Sequence, residues 1–346
     1  NSGIITEVFP LNERGRALGA VGAFVSLGAI AGPGIGGLIL SNFSWSYIFW
    51  INVPVGLVTI LIGEKFLPKD ITKTKEKIDF SGFACIAIAI MTFFGGIFLG
   101  QESGFGSLQS YLLFIIAVVA LGLFIMVERK RKSPLIKFAI FKNKIFTLSL
   151  LSAVLIFASN FFVNVVIPFY LQDARKLSAS YAGLLMMVFP LLMVVGAPLS
   201  GYLSDKIGPG ILTFGGLLLL CCTSLMYMFL DMNSPIWYYV IATAIMGLGN
   251  ALFQSPNNTM VMSSVEKQDL GVAGSMNSFA RNLGMVIGIA LSTTILYRGM
   301  SEAYGERVTT YLANRPDIFI VGMRETFFVA FLLCVAAFIL TILRFR

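Results

Sequence analysis

Arg281 stands inside an apolar run, SFARNLGMVIG, with Asn277 four residues before it and Asn282 after it. It lies about twelve residues into that run, which at about 1.5 Å per residue sets it roughly 18 Å along a helix. A guanidinium at that depth costs about 2.5–3.5 kcal/mol on insertion scales, so it must face a cavity or a partner. Its chemistry is electrostatic, because it stays charged and offers a fork of N–H donors. Asn250, Gln254 and Asn257 recur at i, i+4 and i+7, one face of a helix. Asn160 and Asn164 lie one turn apart, beside Phe161 and Phe162. Amides removed from water need partners, so these faces look into the protein, either bonding between helices or lining a wet pocket. With Phe161 they would form an aromatic, adaptable cavity suited to bulky amphipathic ligands, and Asn277 and Arg281 would belong to its wall.

Covalent chemistry is poorly served. The chain has no histidine, which removes imidazole relays and imidazole metal ligands from this stretch. Cys85, Cys221, Cys222 and Cys334 all fall in apolar runs, without metal or disulfide spacing, and read as small core hydrophobes. No nucleophile–base pair stands out. The expectation is a protein that is not an enzyme, with no metal and no cofactor. Acids are also missing at mid-membrane depth: Glu102, Asp173, Asp231 and Glu325 lie near the ends of runs or in loops. No acid of this stretch is thus placed to titrate within the membrane.

These side chains must be held by membrane-spanning helices. Of 346 residues, 57% are hydrophobic and 12% charged, about half the charge of a soluble domain. Ten apolar spans of crossing length can be drawn, roughly 15–39, 45–63, 80–100, 109–127, 144–171, 179–202, 210–230, 235–262, 270–297 and 324–343. The net charge of +8 sits in the short connections. If Arg14 and Arg16 are cytoplasmic, that side holds eighteen of the basic residues and the other side six. This bias places the C-terminus in the cytoplasm and makes nucleic acid an unneeded partner. Segment 298–324, with four arginines on the predicted outer side, is expected as a long loop holding an amphipathic piece.

Within the first span GAIAGPGIGG packs glycines where a helix tolerates them least. Gly28, Gly32 and Gly36 are four apart and predict a bare stripe on which another helix can rest. Pro33 predicts a bend. The full pattern is Gly19, Gly28, Gly32, Pro33, Gly36 and Gly37, spaced G-x8-G-x3-G-P-x2-G-G. It resembles the antiporter motif of the fifth helix in drug:proton antiporters of the major facilitator superfamily. The flanking PLNERGRALG and WSYIFWINVPVG resemble segments of its fourteen-span branch, the group of quaternary-ammonium and tetracycline exporters. GYLSDKIGPG resembles the superfamily's G-x3-D-[RK]-x-G loop, carried here by Gly201, Asp205, Lys206 and Gly208, with Pro209 and Gly210 where the family places basic residues. Read from the residues alone, Asp205 is placed to cap or pair near a helix end, and the glycines allow a tight reversal.

The resemblance implies an all-α major facilitator fold with ten of fourteen helices present, the chain being the C-terminal part of a longer protein. Residues 1–68 would be the remnant of an N-terminal six-helix half, 69–143 two inserted helices, and 144–346 the C-terminal half. It implies an inner-membrane multidrug exporter, monomeric, that exchanges amphipathic or cationic drugs for protons by rocking about a central cavity. The proton gradient would be its energy source, and the Gly201–Gly208 loop a cytoplasmic latch. A facilitator that imports a sugar or organic acid is the alternative; a non-transporting sensor or a membrane enzyme is further off.

Overall fold

The computed structural model describes residues 46–66, 80–103, 107–130, 138–312 and 315–345, with scattered positions among the first 45 that include 16–25. Among these residues there is helix and no strand. The helices are α1 Arg16–Val25, α2 Tyr47–Trp50, α3 Asn52–Phe66, α4 Phe80–Ser103, α5 Leu108–Lys130, α6 Lys144–Phe169, α7 Ala179–Met186, α8 Val188–Ile207, α9 Pro209–Met228, α10 Ile236–Ser263, α11 Leu270–Tyr304 and α12 Pro316–Arg344. Nine stretches among the described residues are long and apolar enough to cross a membrane, and α1 is a shorter apolar helix. Of the rest of the first expected span only scattered positions are described, and Pro33, Gly36 and Gly37 lie outside the described residues.

Two boundaries differ from the sequence reading, each for a local reason. The expected loop at 298–324 is mostly helix: α11 runs on to Tyr304 and α12 starts at Pro316. Arg298 is accommodated by an i,i+4 ion pair to Glu302 at 2.8 Å. Gly305, at φ 85, ends α11 in the left-handed region that favours glycine. Proline at the start of α12 fits a helix N-terminus. The span drawn at 179–202 is two helices broken at Met187. Pro190 has no N–H for the carbonyl of Met186, so the ladder fails at that point. Arg344, the last residue of α12, is buried.

The helices α6 to α12 pack into one bundle, with α6 against α11 and α12, α9 against α10 and α12, and α8 against α10. Its core holds Phe162, Tyr170, Leu217, Tyr227, Phe253, Phe319 and Phe327. By contrast α3 buries none of its side chains, and α4 and α5 pair with each other as a hairpin. Their apolar exteriors suit a hydrocarbon solvent.

In lipid the seams between helices depend on close approach rather than on the hydrophobic effect. A Cβ on Gly284 of α11 would stand 2.5 Å from the Val154 carbonyl oxygen of α6, and one on Gly288 would strike the Ala158 carbonyl. Gly216 and Gly249 serve the α9–α10 seam in the same way, and Gly322 meets the backbone of Leu296 across α11 and α12. Because backbone blocks each of these positions, Gly284→Leu should exceed the ~1–3 kcal/mol that overpacking usually costs. Circular dichroism melts in detergent would check this; an unchanged midpoint would mean that α6 and α11 part freely.

At the end of the bundle away from Lys144, Lys206 and Lys267, a knot of polar groups closes the loops. Tyr170 donates its hydroxyl to the Asp231 carbonyl at 2.8 Å, and Arg175 donates to the Ser234 carbonyl and to the Tyr170 oxygen. The Ser234 hydroxyl and the Asn233 N–H donate to the Asp231 carboxylate and hold its pKa below the ordinary aspartate value. A depressed carboxylate stabilises the fold above its unfolded pKa, about 3.9, and loses that contribution as pH falls through the folded value. Melts of Asp231→Asn and wild type should therefore differ at neutral pH and converge in acid below the ordinary aspartate range.

Candidate functional site: a polar cavity between α1 and the bundle

A cavity of about 1170 Å³ lies between α1 and the bundle, somewhat larger than most ligand sites. One wall is apolar: Leu18, Val21, Gly22 and Val25 of α1, with Ala197 of α8. The facing wall comes from α10 and α11 and is largely polar: Gln254, Ser255 and Asn258, then Asn277, Ser278, Arg281 and Asn282, with Leu270 and Phe279 among them. Lys267 stands at its edge, beside the start of α11. Asn277 donates its amide to the Asn258 carbonyl oxygen at 2.8 Å, tying the two helices that build this wall. Arg281 is partly buried, and no described residue gives it a hydrogen bond or an ion pair.

Of the expected cavity residues, Gln254, Asn277 and Arg281 line this space. Asn160, Phe161, Asn164, Asn250 and Asn257 are not among its lining. Asn160 and Asn250 exchange two amide hydrogen bonds, at 2.6 and 3.1 Å, inside the bundle. Asn164 is exposed and donates to the Asn160 carbonyl. Phe161 packs where α6 meets Gly288. Asn257 donates to the Ser149 carbonyl and accepts from Arg344. Asn160, Asn250 and Asn257 thus serve interhelical bonding, one of the two roles open to them, while Asn164 bonds within its own helix.

Asn258 was not singled out by the sequence reading. The signal was present in the spacing: four residues turn a helix about 400°, so Asn258 lies about 40° from Gln254, while Asn257 lies about 60° to its other side. Lys267, Ser255, Ser278 and Asn282 carry no pattern that separates them from ordinary polar residues.

The expected loop is helix as far as Ile207: Gly201, Asp205 and Lys206 lie in the last turns of α8. Gly201 is buried, and Gly208, at φ 88, makes the whole link between α8 and α9. Lys206 lies over the Tyr202 ring at 4.5 Å. Asp205 accepts from the backbone N–H of Arg16 at 3.0 Å, at the start of α1. An acid placed there satisfies an orphan donor and meets the positive end of the helix dipole. One turn further, Gly19 abuts Ala197 and Pro198, so α1 and α8 touch backbone to backbone. Gly28 and Gly32 are exposed, and among the described residues nothing lies within 4 Å of a Cβ placed on either.

The remaining groups are quiet. Cys334 is a buried free thiol against Ser159 at 3.2 Å. Among the described residues no cluster of His, Cys, Asp or Glu is suited to a metal ion.

Sequence comparison agrees with this architecture. The family model described as Major Facilitator Superfamily matches residues 1–289 and 149–346. The riboflavin transporter RibZ of Clostridioides difficile is 31% identical over 99% of this chain and 73% of its own length. Lincomycin resistance protein LmrB of Listeria monocytogenes is 27% identical over 91% of the chain and 69% of its own. Multidrug resistance protein 3 of Bacillus subtilis is 28% identical over 93% of the chain and 65% of its own. A helical bundle with a polar cavity against α1, and family matches that together span the chain, place this protein in the Major Facilitator Superfamily as a multi-pass membrane transporter.

Proposed function

We propose that the protein exports amphipathic, drug-sized solutes across the inner membrane by alternating access, in exchange for protons. The observation that carries this reading is the cavity, which has one apolar wall from α1 and one polar wall from α10 and α11. Such a site accommodates a ligand with a greasy face and a hydrogen-bonding face. The complete glycine pattern from Gly19 to Gly37 resembles that of antiporters, and two of the relatives are named for drug resistance. The end carrying Lys144, Lys206 and Lys267 faces the cytoplasm under the positive-inside rule. Asp205 and the start of α1 then form a contact on that side that breaks and reforms as α1 moves against the bundle.

A second reading is import of a nutrient, which a relative named as a riboflavin transporter favours. Energised cells expressing the protein, preloaded with a fluorescent amphipath, separate the two. Faster loss of dye that stops when an uncoupler collapses the proton gradient supports proton-coupled export. Loss indifferent to the uncoupler would remove the coupling, and accumulation of external solute would replace export with import.

A further inference from the structure

The charge of the cavity wall narrows the substrate class. Arg281 reaches the space from α11 and Lys267 from its edge, and no described lining residue is an acid. Across the cavity the described lining offers Arg281 no compensating charge: α1 presents Leu18, Val21, Gly22 and Val25, α8 presents Ala197, and α10 presents Gln254, Ser255 and Asn258. The remaining polar groups are mainly amides and hydroxyls. The Asn277–Asn258 bond uses one donor and one acceptor, and leaves the Asn258 nitrogen and the Asn277 oxygen for a ligand. A half-desolvated guanidinium is screened far less than one in water, so its field discriminates strongly by charge. It favours planar carboxylate, phosphate or carbonyl groups that accept from its fork.

We propose that this cavity selects amphipathic solutes that are uncharged or anionic and rich in hydrogen-bond acceptors, and disfavours cations. The inference rests on the cavity being the substrate site, and it narrows the cationic part of the class that the family resemblance implies.

Two xanthene dyes of similar shape and opposite charge test it: fluorescein, an anion at neutral pH, and rhodamine methyl ester, a cation. Fluorescence anisotropy on the purified protein should show fluorescein bound at least about tenfold tighter, a difference of about 1.4 kcal/mol. Arg281→Gln should weaken fluorescein about tenfold and leave the rhodamine ester unchanged or tighter. Asn277→Asp, which adds an acid to the same wall, should shift the preference towards the rhodamine ester and guards against an Arg281 variant that fails to fold. Equal or tighter binding of the rhodamine ester to the wild type would overturn the inference while leaving transport through the cavity intact. An equal loss of both dyes in Arg281→Gln would overturn it as well. Binding of neither dye would overturn both the charge preference and the cavity as a substrate site.

Discussion

Asn257→Leu should destabilise the protein by about 3–5 kcal/mol, whereas Arg344→Met should cost much less. Arg344 closes α12 with only 5% of its surface exposed. One of its nitrogens donates to the Ser149 hydroxyl at 3.0 Å and to the Asn257 carbonyl oxygen at 3.1 Å. Asn257 in turn donates to the Ser149 backbone carbonyl at 3.2 Å. Three helices, α6, α10 and α12, are thereby held at one point near the Lys144 end. The guanidinium finds no partner for its other two nitrogens among the described residues. Its charge therefore depends on few acceptors, and taking away Asn257 strands it. Replacing Arg344 itself with an apolar chain of similar length removes the need for those acceptors and keeps the packing. Thermal melts of the two variants in the same detergent decide the matter. An Arg344→Met loss as large as that of Asn257→Leu would mean that the hydrogen bonds themselves join the helices, and that charge burial is not the governing cost.

The sequence displayed the helices well because apolar runs of crossing length need little context. It missed what single residues decide: Pro190 interrupts the helix ladder within one span, and Gly305 with Pro316 replace a long loop by two longer helices. Arg298 looked like a loop charge only because its partner Glu302 had not been placed on the same helical face. The site was half legible. Arg281, Asn277 and Gln254 were marked by being polar in apolar runs, and they line the cavity. Asn160, Asn250 and Asn257 bore the same mark and serve the bundle instead. A buried amide is under equal pressure to find a partner whether that partner is a ligand or another helix, so its type and spacing do not separate the two. The glycines behaved likewise. The pattern from Gly19 to Gly37 stood out, yet the tight contacts fall at Gly284 and Gly288, a shorter four-residue spacing that was passed over, and at Gly216, which has no such partner in sequence. Their role is set by the backbone that another helix brings opposite them.

Gly19→Leu should reduce transport to background while leaving the protein in the membrane. A Cβ at Gly19 would lie 2.5 Å from the Ala197 carbonyl oxygen and 3.1 Å from the Pro198 Cα. Both are backbone atoms of α8 and cannot rotate away, so a leucine there must push α1 off α8. The displacement acts on two things at once. Leu18, Val21 and Gly22 next to it form the apolar wall of the cavity, which would open. The N–H of Arg16, one turn earlier, would move out of the 3.0 Å contact with Asp205. The bundle itself would keep its own seams, so expression and melting should change little. Two milder variants grade the effect. Among the described residues a Cβ at Gly22 meets the Ala197 methyl at 3.2 Å, and Gly22→Ala should slow transport modestly. Asp205→Asn keeps a capping oxygen, since Asn caps about as well as Asp, and gives up the charge–dipole part, worth about 0.3–1 kcal/mol. Its transport should fall by about fivefold. Dye efflux from energised cells, normalised to membrane protein, gives the order. Wild-type rates in Gly19→Leu would mean that α1 does not bear on α8 during the cycle, and the Asp205 contact would then have no part in gating.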